Sequence, residues 1–153
     1  MTILRWLLLS LVAWLGAAAP GPLAGRAPAV AATVTFAAYD VFVDSGNAPL
    51  GAWQFELLAP GGKQVAIVGV EGGDGVFATA PHYDAAALQG GRIVVAAFAA
   101  ADGGLPLGRA RVARVHLRIE GDAPPFAVQL QACADGFGND LRGAVSWTKT
   151  ESK

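Results

Sequence analysis

The fold is decided by a short stretch in which apolar and polar side chains alternate, Trp53-Gln54-Phe55-Glu56-Leu57. Successive side chains of a β-strand point to opposite faces, so the three apolar residues share one face and the two polar residues share the other. An antiparallel sheet with one face in the core and one face in solvent has this pattern. We therefore expect Trp53 to lie in the core of a β-protein.

A second alternating stretch lies within residues 109–120. From Ala113 onward the apolar residues point to one side, and the outward set is Arg114, His116, Arg118 and Glu120. Arg111 falls out of phase with this alternation. Its position predicts a β-bulge or a strand that starts near Val112.

Further strand patterns fill most of the chain between turns rich in Gly, Pro and Asp. They cover residues 33–43, 64–70, 76–78, 92–99, 126–131 and 144–148. A turn at residues 60–63 predicts a hairpin between the second and third strands, and Asp84 is expected to cap one helical turn. The pattern predicts an all-β protein, an immunoglobulin-like or jelly-roll β-sandwich of about eight to nine strands.

The N-terminal residues have the features of a secretory signal peptide. Arg5 precedes an uncharged apolar run, residues 6–19, that is too short to span a bilayer comfortably. Two frames fit the small-x-small rule for cleavage, Ala29-x-Ala31 and Val30-x-Ala32. Cleavage after Ala32 is favoured, because Thr33 opens the first strand pattern. We expect a signal-peptide helix within residues 1–32, a sandwich domain at residues 33–148 and a polar tail at residues 149–153. The mature protein would be secreted or periplasmic without a membrane span; the alternative is an uncleaved anchor.

Charge and cysteine content narrow the classes of partner. The leader contains two of the 11 basic side chains, Arg5 and Arg26, and none of the 12 acidic ones, so the mature chain is mildly acidic. Nucleic acids and anionic lipid surfaces bind basic faces, which argues against both as partners. The single cysteine, Cys133, excludes an intrachain disulfide.

The sequence lacks the patterns of common enzymes. No Gly-x-Ser-x-Gly elbow surrounds Ser45, and His82 and His116 are the only candidate imidazole bases in the mature chain. We therefore predict no catalytic residues. Aromatic rings for stacking on sugars are also few, because Trp147 is expected in the core together with Trp53.

Two sets of residues are candidates for binding. The outward residues Arg114, His116 and Arg118 form a polar strand face, and arginine is favoured at protein interfaces because its planar fork pairs with carboxylates. Calcium is the cation that the acidic loops favour, since it takes oxygen ligands. The candidate calcium ligands are Asp135, Asn139 and Asp140, with Asp40, Asp44 and Asn47 as a second loop. No other cofactor is predicted.

An ordered set of motifs resembles the cohesin-like domains of exported bacterial proteins, within the broader group of sandwiches that also includes carbohydrate-binding modules. The motifs are Asp40-Val41-Phe42-Val43, the run from Pro49 to Leu57, Tyr83-Asp84, Gly91-Arg92-Ile93-Val94, Leu105-Pro106-x-Gly108-Arg109, the run from Val112 to Leu117, and Ala134-Asp135-Gly136. The resemblance covers nearly all of residues 33–148.

The resemblance implies a jelly-roll sandwich that recognises another protein, typically a dockerin module, through a sheet face and has no catalytic residues. The predicted partner is therefore another exported protein, either dockerin-like or an envelope component. Two alternatives stay open. The first is a carbohydrate-binding module that takes a polysaccharide, and the second is an envelope protein that assembles through its edge strands.

Overall fold

The computed structural model describes residues 32–59, 64–100, 104–122 and 126–150. These ranges contain eight strands: β1 (Val34–Asp44), β2 (Ala52–Leu58), β3 (Val65–Gly72), β4 (His82–Tyr83), β5 (Arg92–Phe98), β6 (Arg109–Glu120), β7 (Ala127–Ala134) and β8 (Ala144–Lys149). They form two four-stranded antiparallel sheets, with strand orders β3-β6-β1-β8 and β4-β5-β2-β7. The predicted all-β sandwich is confirmed.

The predicted signal-peptide helix lies outside the described residues. Within the ranges that the structure describes, no helix has the length and hydropathy needed to cross a membrane.

The core lies between the two sheets and is built by the residues that the alternation assigned to the inner faces. On β2, Trp53 and Phe55 are buried and their rings stack with centroids 5.4 Å apart. On β6, Val115 and Leu117 are buried opposite them. Cys133 is also buried, and this burial raises the pKa of its thiol.

The bulge expected near Arg111 is confirmed. In the pairing of β1 with β6, Val41 lies opposite Ala113, and the next residue, Phe42, lies opposite Arg111. Val112 is the extra residue, and it is buried together with its neighbour Ala113. Because the bulge shifts the phase of the alternation, Arg111 points outward on the same side as Arg114.

The predicted hairpin between β2 and β3 is wrong. β2 pairs with β5 and β7, whereas β3 pairs with β6 in the other sheet. The connection extends from residue 59 to residue 64, longer than most hairpin loops, and it carries the chain from one layer to the other. The alternation identified both strands, but it carries no information about which strands pair.

The expected strand at residues 76–78 is also wrong, because a 3-10 turn occupies Gly75–Phe77. The turn is closed by local hydrogen bonds, in which the amide of Gly73 donates to the carbonyl of Phe77 over 2.8 Å. Phe77 is buried against Trp53. The helical turn expected after Asp84 is confirmed at Ala85–Ala87, and the Asp84 carboxylate accepts a hydrogen bond from its first turn.

Trp147 does not lie in the core. It faces the interior side of its sheet opposite Val41, but β8 is an edge strand and the ring is 37 % exposed. It packs at the rim of the sandwich against Phe126, with ring centroids 5.5 Å apart, and Phe126 in turn contacts Tyr39. Trp147 is exposed because β8 lies at the edge of its sheet, and the alternation of a sequence does not show which strands are edges.

Candidate functional site

The structure places the three predicted partner-binding residues together on the outer surface of the β3-β6-β1-β8 sheet. Arg114, His116 and Arg118 alternate along β6 with buried residues, as expected, and all three side chains are partly exposed. We call this surface the charged face and define it by these three residues with Arg111 and Asp40. A partner can form ion pairs with this face only where its charged side chains are not already paired within the chain.

The centre of the charged face is an ion-pair network within the chain. Arg114 holds the Asp40 carboxylate with two hydrogen bonds, Nε to Oδ1 at 2.8 Å and Nη2 to Oδ2 at 3.2 Å. Arg111 donates to the same carboxylate at 3.2 Å and also pairs with Asp74. The hydrogen bonds from Arg114, followed by those from Arg111, lower the pKa of Asp40 despite its partial burial.

The other two predicted residues also have acidic neighbours. Nε2 of His116 lies 2.9 Å from Oε1 of Glu71 but forms no hydrogen bond within the described residues. Arg118 pairs with Glu120 on its own strand. The charged face is therefore neutralised from within, and a partner's carboxylate would have to displace an existing one.

The predicted calcium ligands form a hydrogen-bonded turn. Oδ1 of Asp135 accepts hydrogen bonds from the amides of Phe137 and Asn139, and its Oδ2 accepts one from the Asn139 side chain, each over 2.9 Å. The Asn139 bonds lower the pKa of Asp135. Asp140 bridges to Ala134 through its backbone. These bonds explain Asp135 as a turn-forming residue, and calcium binding here stays a prediction.

The second acidic loop is likewise used by the fold. Oδ1 of Asp44 accepts a hydrogen bond from the amide of Gly46 over 2.9 Å, and Asp40 is held by the two arginines. Among the described residues, no group of three or more His, Cys, Asp and Glu side chains is arranged to hold a metal ion.

The outer surface of the β4-β5-β2-β7 sheet has the opposite character. Ala52 of β2 lies between Phe98 and Ala134, and the next outward residue, Gln54, lies between Ala96 and Ala132. We call these six residues the alanine face. Farther along the same surface, Glu56 is paired with Arg92.

Phe98 is the prominent side chain of the alanine face. It is 76 % exposed, and the ring of His82 from β4 lies nearly parallel to it, 6.1 Å away and inclined by 11°. Together with the alanines the two rings border a shallow hollow of about 240 Å³. None of the residues that line this hollow is Asp, Glu, Lys or Arg.

The sequence interpretation missed this site. Residues 92–99 were expected to form a strand, but neither Ala96 nor Phe98 was predicted as a contact residue. The alternation along β5 could have assigned Phe98 to the outer face, because Ile93 and Val95 fill the inner one. It could not have shown that Ala132 and Ala134 of β7 lie two strands away on the same surface.

The aromatic residues in the described part of the chain do not form a flat row for sugar binding. Trp53 is buried as expected, and Trp147 is tilted by 43° against Phe126 at the rim. Phe137 is 87 % exposed in its loop, whereas Tyr83 is partly buried against the core.

No family model matches the chain, and no curated protein matches it. Among solved structures, the chain is similar to a non-cellulosomal cohesin from the hyperthermophilic archaeon Archaeoglobus fulgidus. The identity is 18 %, the TM-score is 0.51, and the match covers 73 % of this chain and 75 % of the cohesin. The likeness establishes the fold, so the cohesin-like sandwich expected from the motifs is confirmed.

Proposed function

We propose that this chain is an exported, non-catalytic protein-binding module whose partner docks on the alanine face. The observation that carries the proposal is Phe98, a large apolar side chain that is 76 % exposed at the border of a hollow whose lining contains no Asp, Glu, Lys or Arg. Contiguous exposed apolar surface costs solubility and commonly marks an interaction site. Aromatic anchors at the centre of an interface also contribute most of its binding energy.

The size and lining of the hollow favour a protein over a small molecule. Pockets for small ligands usually enclose about 300–1,000 Å³ and contain several convergent polar groups. This hollow is smaller and shallow, and its polar side chains are Gln54 and His82. A partner that presents a few aliphatic side chains, such as the apolar stripe of a helix, fits such a surface. The chain is similar in fold to a cohesin, and a protein partner is consistent with that similarity.

The charged face is the second candidate for contact with the partner. Arg114, His116 and Arg118 lie on one surface, but each has an acidic neighbour within the chain. Replacing one carboxylate by another gains little free energy, because the ion pair is already formed. We expect this face to affect the rate of association more than the affinity.

The test compares two matched phenylalanines. Phe98 is 76 % exposed on the alanine face, and Phe36 is 72 % exposed on the opposite sheet, across from Arg118. The full chain and its variants Phe98→Ser and Phe36→Ser are used to capture exported proteins of the same organism. Affinity for the captured partner is then measured, and each variant's folding is checked by circular dichroism.

The proposal predicts one stoichiometric partner whose affinity falls on the order of 30-fold in Phe98→Ser, as for an interface hot spot. Phe36→Ser should bind as the parent does. Loss of binding in Phe36→Ser and in Arg114→Ala, with Phe98→Ser unchanged, would assign the contact to the charged face instead. Retention on insoluble polysaccharide without any protein partner would contradict the proposal and favour a carbohydrate-binding module.

A further inference from the structure

The edges of the two sheets are protected unequally. The edge strands are β3, β8, β4 and β7. Edge strands expose unpaired backbone N–H and C=O groups, and natural proteins block them with short strands, bulges or covering loops. β4 has only two residues, and β7 contains a bulge at Gln131 and is bridged near its end by Asp140. The outer side of β3 is covered by a loop, since Ile67 exchanges backbone hydrogen bonds with Gln89 and Gly90.

The remaining edge strand, β8, has none of these devices within the described part of the chain. It contains six residues and pairs with β1 without any shift in register. It lacks proline, and its one charged residue, Lys149, stands at its end. No described residue forms a backbone hydrogen bond with its outer side. β8 is thus long and regular enough to add a strand.

The hydrogen-bond pattern shows which residues face this open edge. The amide of Thr150 donates to the carbonyl of Ala38 over 2.8 Å. Residues of an antiparallel pair alternate between hydrogen-bonded and non-hydrogen-bonded positions. The even-numbered residues of β8 therefore bond to β1, and Val145, Trp147 and Lys149 direct their N–H and C=O groups outward.

A second copy of β8 satisfies these outward groups in one well-matched register. An antiparallel pair centred on Ser146 sets Val145 opposite the partner's Trp147, so both members of each pair have outward backbone groups. Both side chains also lie on the interior side of the sheet, where a β-branched residue beside an aromatic ring stabilises a strand pair. Registers one residue away would mismatch the backbone groups. A register centred on Trp147 would pair the same number of β8 residues, but it would set the charged Lys149 against the partner's Val145 on the interior side of the sheet.

We infer that two copies of this chain associate through β8 about a two-fold axis at Ser146. The interface is isologous and closes, because each β8 is used once. It joins the two β3-β6-β1-β8 sheets into one continuous sheet of twice the width. It also covers the part of Trp147 that is exposed in the single chain. The alanine face lies on the other sheet, so the inference is independent of the proposed function.

Cysteine cross-linking tests the register directly. The chain is expressed from its complete sequence with Cys133→Ala, and carries either Ser146→Cys or Thr148→Cys. Both positions are exposed on the same side of β8. In the dimer the two residues at position 146 are a non-hydrogen-bonded pair with Cα atoms about 4.5 Å apart, within the disulfide range. The two residues at position 148 are about 13 Å apart along the strand.

The expected result is that mild oxidation links most Ser146→Cys chains into dimers and leaves Thr148→Cys monomeric. Sedimentation velocity of the unsubstituted chain should show a concentration-dependent dimer. A chain that stays monomeric at every concentration would overturn the inference, whatever the variants do. Equal cross-linking at both positions, or none at position 146 in a chain that dimerises, would overturn the pairing of β8 about Ser146.

Discussion

At the residue scale, Asp40 is the acidic side chain with the clearest energetic role. Its side chain is 16 % exposed, and it accepts hydrogen bonds from both Arg111 and Arg114. Removing it would leave two arginines without their shared carboxylate. A charge-assisted network of this kind typically stabilises a fold by more than an isolated surface pair does.

We predict that Asp40→Asn lowers the free energy of unfolding by about 1–3 kcal/mol near neutral pH. The folded-state pKa of Asp40 is lowered, so its contribution is present above the unfolded value near 4 and is lost as the pH falls through the lowered pKa. Urea unfolding at about pH 7 and about pH 3 checks this, and the difference between parent and variant should shrink at the acidic pH. Asp122→Asn, in the exposed turn after β6, serves as the control. An unchanged unfolding midpoint in Asp40→Asn would contradict the prediction.

At the scale of elements, the junction between β3 and the bulge of β6 depends on close backbone contact. A Cβ at Gly73 would lie 2.1 Å from the carbonyl oxygen of Arg111 and 2.6 Å from Val112. A Cβ at Gly69, within β3, would meet only the His116 ring at 3.9 Å. The two glycines differ in the space available and therefore make a matched pair.

We predict that Gly73→Ala destabilises the domain by about 1–3 kcal/mol, because the backbone must separate to admit a methyl group. Gly69→Ala should change stability by no more than about 0.5 kcal/mol. Thermal unfolding of both variants measures the difference. Equal melting temperatures would show that the junction between Gly73 and Val112 is not tightly packed.

The elements also show how much could be predicted from the sequence. Alternation is a local property, so it assigned the inner and outer sides of β2 and β6, and the phase error at Arg111 predicted the bulge. Strand partners depend on the whole chain, and for this reason the β2–β3 hairpin was wrong. The exposure of Trp147 depends on its strand being at an edge. The alanine face was missed because Phe98 and Ala134 meet only after three strands have paired.

At the scale of the whole molecule, export and the domain boundary remain predictions. Cleavage after Ala32 would leave Thr33 at the N-terminus, one residue before β1 begins. We predict that the mature protein recovered from its native host has the mass of residues 33–153. Intact-mass spectrometry measures this directly. A protein that retains Met1 and partitions with membranes would instead indicate an uncleaved anchor.

One sheet surface has charges that are satisfied within the chain, and the other contains the alanine face, which has no charged residue. Stability is therefore expected to depend on Asp40 and its arginines, and recognition on Phe98 and the alanines around it. An open β8 edge provides a third surface, separate from both.

The central claim, that recognition occurs on the alanine face, is tested most directly by hydroxyl-radical footprinting of the unmodified chain with its captured partner. Phe98 and Phe36 are similarly exposed in the free chain, so both should be oxidised when no partner is present. In the complex we predict strong protection of Phe98 and unchanged oxidation of Phe36. Protection of Phe36 with Phe98 still reactive would contradict the account and assign recognition to the charged face.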